Sequence, residues 1–413
     1  MPLRPHRRTP NRRTDSETLE CVHFGTCGGC SLLDQPIRWQ LADKVAVCER
    51  KLATALGDRL GGVAIAHTAP DHTPRWFRTR LLYPVRAGKK GRPITGLYAY
   101  RTNDIVRIEE CQTADRWLTE LGRAAEGLMR ELGLQAFEPR KGTGHVIAFQ
   151  ARLASGTGEV LAGLVTRPGP FEAGRAFADG LLAAARSLPR GRQPRELVGV
   201  VHGITEREDG FLLADRHVPL RGRDHVVDRR DGLEFRISAG SFYQIHAGAS
   251  ALLYREALAL LGDVTGQRVV DGYGGVGAFG LRLLRAGAAS VTIVEDNAAA
   301  CRDAEHNARA NGLDATVVRA PFATAGFEVE PDLLVVDPPR SGLGDTGVAR
   351  VLTARPRRLL HVACDVDALA RDLDALTANG YRVRALRLCD LFPHTEHIEL
   401  AALLERDPGA ARD

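Results

Sequence analysis

The stretch Gln267–Gly287, QRVVDGYGGVGAFGLRLLRAG, decides the fold of the C-terminal part of the chain. It begins with a short apolar strand that ends at Asp271, passes through a glycine-rich turn, and ends in a helical pattern closed by Gly287. Glycine permits a backbone turn tight enough for a ligand to lie against it where a helix begins. The stretch therefore predicts a doubly wound α/β sheet with a ligand site at this turn.

The segments after the glycine turn repeat the strand and helix pattern. SVTIVEDNAAACRDAEHNARANG supplies a strand and a helix, and PDLLVVDPPR, RRLLHVACD, RVRALRLCD and HIELAALLER supply further strand candidates. The last two are candidates for antiparallel neighbours at one edge of the sheet. Glu295 closes the second strand, where a carboxylate can accept hydrogen bonds from a ribose. This pattern fits a nucleotide-like cofactor, either a dinucleotide or S-adenosylmethionine, and leaves a purely structural turn open.

The preceding part of the chain has a different pattern. Short alternating segments such as FRTRLLYPVR and GLYAYRTNDIVRIEEC predict strands and hairpins, and WQLADKVAVCERKLATAL and DRWLTELGRAAEGLMRELG predict helices. We divide the chain into a basic flexible tail over residues 1–20, an α+β region over 21–240, and an α/β domain over 241–413. The arginines of the tail fit either a solvated segment or an arm that contacts RNA phosphates.

Composition favours a cytoplasmic protein. Of the 413 residues, 44% are hydrophobic and 26% are charged, and no run approaches the roughly 18 apolar residues of a membrane span. The N-terminus has no apolar segment that would form a secretory signal. Because disulfides are rare in a reducing cytosol, the cluster CVHFGTCGGC at Cys21–Cys30 is expected to bind metal or take part in catalysis. Its spacing alone leaves zinc and an iron-sulfur cluster open.

Polar side chains stand where several predicted strands end, the edge at which open α/β sheets bind ligands. Asp337 begins a rigid turn, DPPR. Cys364 precedes a helix start that is expected to lower its pKa and make it a nucleophile, the alternative being an inert buried thiol. Glu399 is a candidate general base. The alternative is a metal site that Glu399 forms with the nearby His394 and His397, but these residues do not have the HExxH spacing of a zinc site. Gln244 is either a ligand-binding residue or a strand residue whose side-chain amide forms its hydrogen bonds with the backbone.

In chain order, these segments resemble the RNA 5-methyluridine methyltransferase family. The resemblance runs over nearly the whole chain and rests on CVHFGTCGGC, GLYAYRTNDIVRIEEC, SFYQIHAG, DGYGGVG, VVDPPRSG, ACDVDALARDL and FPHTEHIE. It implies a Rossmann-like class I domain that uses S-adenosylmethionine. Since about twenty residues precede Cys21, the chain resembles the short form without the N-terminal RNA-binding (TRAM) barrel.

The resemblance also implies a role for individual residues. The nucleophile and the general base are Cys364 and Glu399; the residues that bind S-adenosylmethionine are Gln244, Tyr273, Glu295 and Asp337; the ligands of a 4Fe-4S cluster are Cys21, Cys27, Cys30 and Cys111. The chain departs from the family beside the nucleophile, where Asp365 replaces the usual asparagine and Val366 the usual proline. An acid there is expected to raise the pKa of the thiol.

The implied reaction forms 5-methyluridine in RNA, ribosomal RNA being favoured over transfer RNA. Cys364 would add to carbon 6 of uracil, carbon 5 would take the methyl group, and Glu399 would remove the proton from carbon 5. The cluster would be structural, and the protein a monomer. Two alternatives remain: a methyltransferase of the same fold that acts on another nucleobase or a small molecule, and an RNA-binding module without catalysis.

Overall fold

The computed structural model describes residues 18–68, 74–189, 191, 193–207, 212–326 and 331–407. The predicted basic tail lies outside these residues up to position 17. The helices in the described residues are α1 (Ile37–Leu56), α2 (Arg116–Glu131), α3 (Gly174–Ser187), α4 (Ala247–Leu261), α5 (Gly280–Arg285), α6 (Ala298–Ala310), α7 (Gly344–Ala354) and α8 (Val366–Ala378). Short 3₁₀ helices cover Gly57–Leu60, Lys89–Gly91 and Phe322–Thr324.

The strands of the N-terminal part are β1 (Ile65–Thr68), β2 (Arg80–Ala87), β3 (Pro93–Thr95), β4 (Leu97–Tyr98), β5 (Ile105–Val106), β6 (Val146–Leu153), β7 (Glu159–Thr166), β8 (Glu196–Ile204), β9 (Arg216–Gly222), β10 (His225–Arg230) and β11 (Leu233–Ser238). Those of the C-terminal part are β12 (Arg268–Gly272), β13 (Ser290–Glu295), β14 (Thr316–Arg319), β15 (Leu333–Val336), β16 (Arg358–Ala363), β17 (Tyr381–Cys389) and β18 (Leu400–Arg406).

The C-terminal strands form the predicted doubly wound sheet, in the order β1-β17-β18-β16-β15-β12-β13-β14. The strands β16, β15, β12, β13 and β14 run parallel, and β18 is antiparallel to both of its neighbours. The chain passes from β12 to β13 and β14 on one side, then crosses to β15 on the other side. A crevice therefore opens at the carboxyl ends of β12 and β15, where open α/β sheets bind ligands.

Apolar clusters cover both faces of this sheet. Leu333 and Val335 of β15 belong to one apolar cluster, which lies on one face, and Leu334 and Val336 belong to a second cluster on the other face. Successive side chains of a strand point to opposite faces, so a strand covered on both sides is apolar throughout. This is why LLVV could be read as a buried strand from the sequence.

The edge of the sheet differs from the prediction. The last two strands, β17 and β18, are antiparallel neighbours as predicted, but they do not form the edge, because β1 pairs in parallel with β17. The edge strand comes from the N-terminal part of the chain, more than 300 residues before its partner. A local pattern carries no information about such a pairing. The division near residue 240 stays a prediction.

The α+β region contains a second sheet, in the order β3-β2-β6-β7-β8-β9, and two hairpins, β4-β5 and β10-β11. The helices α2 and α3 cover one face of the six-stranded sheet. The two predicted N-terminal helices are α1 and α2, and the segment GLYAYRTNDIVRIEEC contains the predicted hairpin, β4-β5. None of the helices in the described residues is both long and apolar enough to cross a membrane.

Candidate active site

The glycine turn between β12 and α5 is held by contacts that leave no room for larger residues. A Cβ atom on Gly274 would lie 2.6 Å from Cγ2 of Ile293, and one on Gly280 would lie 3.0 Å from Oδ2 of Asp271. This carboxyl accepts a hydrogen bond of 2.7 Å from the N–H of Gly280, and burial raises its pKa to about 7. Tyr273 has a φ of 60°, which is rare for a bulky residue and marks a strained backbone.

Glu295 connects the glycine turn to the next strand. Its Oε2 accepts a hydrogen bond of 2.9 Å from the N–H of Gly275, and its Oε1 accepts one of 2.7 Å from the N–H of Asn297. Burial raises the pKa of this carboxyl. Each carboxylate oxygen has a second lone pair, so Glu295 keeps acceptor capacity for the hydroxyls of a ligand.

Three of the four predicted cofactor-binding residues line one cavity beside the turn. Gln244, Tyr273 and Asp337 surround about 30 Å³ together with Phe242, Tyr254 and residues of the glycine turn. Glu295 does not line this cavity, but it accepts a hydrogen bond from Gly275, which does. Gln244 lies in the loop before α4 rather than in a strand, and it is 9% exposed.

Cys364 and Glu399 are placed at the same edge of the sheet by strand pairing. In the antiparallel pair β16 and β18, Ala363 lies opposite Leu400, so Cys364 follows the last paired residue of β16 and Glu399 precedes that of β18. Asp337 follows β15, the neighbour of β16 on its other side. Because adjacent strands lie about 4.8 Å apart, the topology brings the three side chains to one place.

The thiol of Cys364 is not activated by the start of α8. Burial and the negative charges of Glu399 and Asp337 raise its pKa to about 11, and Arg340 opposes this rise. The expectation that the helix start lowers the pKa of this thiol is therefore wrong. Burial and the two carboxyl groups outweigh Arg340 and a backbone hydrogen bond, which lower the pKa.

Two carboxyl groups beside the thiol share a desolvated environment. Glu399 is 2% exposed, and burial together with the charge of Asp337 raises its pKa well above the usual range. Burial also raises the pKa of Asp337, to about 7. Like charges in a desolvated site disfavour double ionisation, so at least one of these groups carries a proton near neutral pH. Such a pair suits proton transfer.

Asp365 has a structural role as the cap of α8. Its Oδ1 accepts hydrogen bonds from the N–H groups of Asp367, at 3.1 Å, and Ala368, at 3.0 Å. Its Oδ2 lies 3.5 Å from Nη2 of Arg340. Asp365 was expected to raise the pKa of the neighbouring Cys364. The charges that raise this pKa are instead those of Glu399 and Asp337.

The histidines before β18 are not arranged around an ion. His394 is fully buried, and its Nε2 lies 3.0 Å from the carbonyl oxygen of Pro74. Glu396 and His397 are exposed. Within the residues that the structure describes, no group of three or more His, Cys, Asp or Glu side chains has the geometry to hold a metal ion.

The four predicted cluster ligands line a second cavity. Cys21, Cys27, Cys30 and Cys111 surround about 30 Å³, and all eight cysteines of the chain are free of disulfides. Burial raises the pKa of Cys27 and Cys30, and the charges of the other thiols raise it further. The N–H of Gly29 donates to Sγ of Cys27 at 3.3 Å, and the N–H of Ala114 donates to Sγ of Cys111 at 3.3 Å.

Two residues of α1 that were not among the predicted site residues contact the loop before Glu399. Gln40 and Lys44 are 0% and 4% exposed, and both bond to residues 390–394. A signal was present, because lysine is rarely buried without a partner and Lys44 shares its helix face with the apolar Leu41 and Cys48. The partner lies 346 residues further along the chain, where no sequence pattern points to it.

Comparison with known proteins defines the class to which this fold and site belong. Residues 326–407 match the family described as tRNA (uracil-5-)-methyltransferase, and residues 234–363 match the methyltransferase small domain. An uncharacterized RNA methyltransferase of Gloeobacter violaceus is 31% identical over 394 residues, which cover 94% of this chain and 82% of that protein. One from Halalkalibacterium halodurans is 29% identical over 403 residues, which cover 95% of this chain and 84% of that protein.

A solved structure shares the fold. The tRNA (uracil-54, C5)-methyltransferase of Pyrococcus abyssi, in complex with S-adenosyl-L-homocysteine, matches with a TM-score of 0.69 and 24% identity, covering 91% of this chain and 85% of that one. The C-terminal domain therefore has the class I methyltransferase fold. The chain belongs to the RNA 5-methyluridine methyltransferase family, and it is an S-adenosylmethionine-dependent RNA methyltransferase.

Proposed function

We propose that this protein methylates carbon 5 of a uridine in RNA, with Cys364 as nucleophile and Glu399 as general base. The observation that carries the proposal is the meeting of Cys364, Glu399 and Asp337 at one sheet edge, beside the cavity of the glycine turn. A thiol next to a desolvated carboxyl pair matches the needs of a reaction that begins with sulfur addition and ends with removal of a proton from carbon.

The cavity at the glycine turn suits S-adenosylmethionine, which supplies an electrophilic methyl group on a positively charged sulfur. Gln244 and Asp337 offer polar groups to the cofactor, and Tyr273 offers an aromatic face. Glu295 lies where it can accept hydrogen bonds from ribose hydroxyls. The positive sulfur would also offset the charges that raise the pKa of Cys364, and so favour the thiolate.

The residues of the site account for each step. The thiol of Cys364 first gives its proton to water. The thiolate adds to carbon 6 of uracil, and the electron pair of the C5–C6 double bond moves into the ring as an enolate. Carbon 5 then takes the methyl group, and the electron pair of the broken sulfur–methyl bond stays on the sulfur of S-adenosylhomocysteine. Glu399 removes the proton that remains on carbon 5, the electron pair of that C–H bond restores the double bond, and the bond from carbon 6 to sulfur breaks. Cys364 leaves as a thiolate, and Glu399 holds the proton.

Exposed aromatic side chains with arginines beside them fit an RNA-binding role for the α+β region. Tyr100 is 55% exposed, and the guanidinium of Arg101 lies 5.0 Å from its ring centroid. Trp39 is also 55% exposed, with Arg38 at 5.8 Å. The N–H of Tyr100 donates to the carbonyl of Thr26, so the backbone of Tyr100 lies against the segment that carries Cys21, Cys27 and Cys30. Aromatic rings and arginines together stack bases and neutralise phosphates.

The proposal is tested by methylation of purified RNA. Ribosomal and transfer RNA from a strain lacking the gene are incubated separately with the protein and isotope-labelled S-adenosylmethionine, and nucleosides are identified by mass spectrometry. We expect label in 5-methyluridine from one of these RNAs. Both RNAs are included because the family description and the P. abyssi enzyme concern transfer RNA, whereas the sequence analysis favours ribosomal RNA. Label in another nucleoside, or in none, contradicts the proposal.

Cofactor binding is expected to depend on pH through Asp337. Its pKa of about 7 means that the carboxyl gains negative charge between pH 6 and pH 8. This charge attracts the sulfonium of S-adenosylmethionine but not the neutral sulfur of S-adenosylhomocysteine. We expect the ratio of the two dissociation constants, measured by calorimetry, to shift about tenfold in favour of S-adenosylmethionine over this range. Asp337→Asn should abolish the shift, and parallel pH curves for the two ligands in the unsubstituted protein would contradict the assignment.

We also propose that Cys21, Cys27, Cys30 and Cys111 hold a 4Fe-4S cluster. Support comes from their arrangement around one cavity and from the backbone N–H groups that point at two of the sulfurs, a feature that tunes such clusters. In a four-iron cluster each thiolate binds a different iron, so the sulfurs stand farther apart than the ligands of a single ion. A cluster site therefore does not need the four sulfurs to converge on one point, as a zinc site would.

Loss of one cluster ligand is expected to destabilise the N-terminal region. Cys27→Ser should remove iron and acid-labile sulfide from anaerobically purified protein and lower its unfolding temperature, because metal binding energy adds to folding energy. Cys48→Ser on α1 is the control, as it changes a fully buried thiol that does not line the cavity. Stoichiometric zinc without sulfide in the unsubstituted protein would contradict the cluster.

A further inference from the structure

Glu399 lies in the loop between β17 and β18. Helix α1 forms hydrogen bonds with the first part of this loop, residues 390–394. Nζ of Lys44 donates to Oδ1 of Asp390 at 2.7 Å and to the carbonyl of Phe392 at 3.0 Å. Oε1 of Gln40 accepts a hydrogen bond of 2.7 Å from the N–H of His394. Two side chains one helical turn apart thus fix the path of residues 390–394.

These contacts of Gln40 and Lys44 with residues 390–394 form a clamp on the loop. The segment before α1 adds further hydrogen bonds to it. The N–H groups of Ser31 and Leu32 both donate to the carbonyl of His394 at 3.0 Å. Nε2 of Gln40 donates to the carbonyls of Leu32, at 2.8 Å, and Gln35, at 2.7 Å. His394 has a φ of 65°, a conformation that persists in a non-glycine residue only where the surroundings impose it. The Gln40 side chain therefore joins the loop, through the N–H of His394, to the segment before α1, through the carbonyls of Leu32 and Gln35.

Helix α1 also packs against the element that follows the nucleophile. Leu41, Cys48 and Leu52 lie in the same apolar cluster as Leu369 and Leu373 of α8, which begins two residues after Cys364. The same helix therefore contacts the supports of both catalytic groups. A buried lysine and glutamine cost more to desolvate than apolar residues would, and buried polar networks of this kind specify one geometry.

We propose that Gln40 and Lys44 are positioning residues that place the Glu399 carboxyl beside Cys364 for the removal of the proton from carbon 5. This inference rests on the proposed role of Glu399 as the general base. Both residues are buried, so they act through the loop and not by contact with the substrate. Their loss acts mainly on the step after methyl transfer, the one step in which Glu399 takes up a proton. The expected signature is therefore a covalent protein–RNA adduct that forms normally with ordinary uridine and resolves slowly.

The test compares variants of the full-length protein with a uridine-containing RNA substrate and S-adenosylmethionine. Gln40→Met removes the side-chain hydrogen bonds of Gln40 while keeping the side-chain length, and Gln40→Glu retains an acceptor for the N–H of His394 but loses the donor to Leu32 and Gln35. Leu52→Ala on the same helix is the matched control, since Leu52 is fully buried and packs on α8. Each variant is assayed at the same distance below its own unfolding temperature, and the adduct is quantified on denaturing gels.

We expect Gln40→Met to lower kcat at least tenfold and to raise the adduct fraction several-fold, with methyl transfer in a single turnover unchanged. Gln40→Glu should recover only part of kcat, because it keeps the bond to the N–H of His394 but sets a carboxyl oxygen against the carbonyls of Leu32 and Gln35. Leu52→Ala should form no excess adduct. Lys44→Met serves as the second variant if Gln40→Met does not fold.

The outcomes separate this inference from the function on which it rests. Adduct in Glu399→Gln but none in the α1 variants overturns the positioning role and leaves the general base intact. No adduct in Glu399→Gln overturns the role of the base and this inference with it. Excess adduct in Leu52→Ala equal to that in Gln40→Met means that general loosening of α1, and not the clamp, causes the effect.

Discussion

Cys364→Ala is expected to lower the rate of uridine methylation by about 10⁴-fold or more, the scale on which enzymes lose activity when a covalent nucleophile is removed. Without the sulfur, carbon 5 of uracil does not become nucleophilic enough to take the methyl group. Binding of S-adenosylmethionine should change little, because Cys364 does not line the cavity at the glycine turn. The measurements are methyl incorporation into RNA and cofactor affinity by calorimetry.

Cys389→Ala is the control for this experiment. Cys389 also ends a strand of the same sheet, but it is fully buried in the apolar core. We expect this variant to keep its activity and its covalent complex with RNA that contains 5-fluorouridine, in which the group on carbon 5 cannot leave as a proton. Retention of methylation by Cys364→Ala, or loss of the fluorouridine complex in Cys389→Ala alone, would assign the nucleophile to a different residue.

Glu399→Gln is expected to lower turnover by 10²- to 10⁴-fold, the usual contribution of a general base. The amide keeps the size of the side chain but cannot take the proton from carbon 5. Methyl transfer should still occur once, so labelled methyl accumulates in a covalent protein–RNA complex. Gel electrophoresis under denaturing conditions detects this complex, and rapid quenching measures its formation.

A second carboxyl variant tests whether the effect is specific to Glu399. Glu396 lies three residues earlier in the same loop and is exposed, so Glu396→Gln should retain turnover and leave no complex. If Glu399→Gln instead blocked formation of the complex, the carboxyl would act before methyl transfer, and its assignment as the final base would be wrong.

Much of the α/β domain followed from local sequence patterns. The strands at LLVV and RRLLHVACD and the turn at DGYGGVG appear where the apolar alternation and the glycines place them. Parallel strands of one sheet present their carboxyl ends at one edge, so the meeting of Asp337, Cys364 and Glu399 could also be expected. These predictions succeed because a strand or turn depends mainly on residues near it in the chain.

Other features of the site depend on burial, which a sequence does not show. The helix start after Cys364 predicted a lowered pKa, whereas burial and two neighbouring carboxyl groups raise it. Gln244 occupies a loop instead of a strand, and the clamp from Gln40 and Lys44 joins segments about 350 residues apart. Desolvation and long-range pairing arise only when the chain is folded, so no local pattern could have indicated them.

Local patterns and motifs were enough to predict the class of the protein, the C-terminal strands along the chain and the residue types that carry the chemistry. Folding places β1 at the edge of the sheet, brings Cys111 to the cavity of Cys21, Cys27 and Cys30, and sets α1 against the loop of Glu399. The difference lies in the range of the forces involved. Helix and strand periodicity is set within a few residues, whereas pairing, burial and the pKa values that follow from them are set by contacts across the whole molecule.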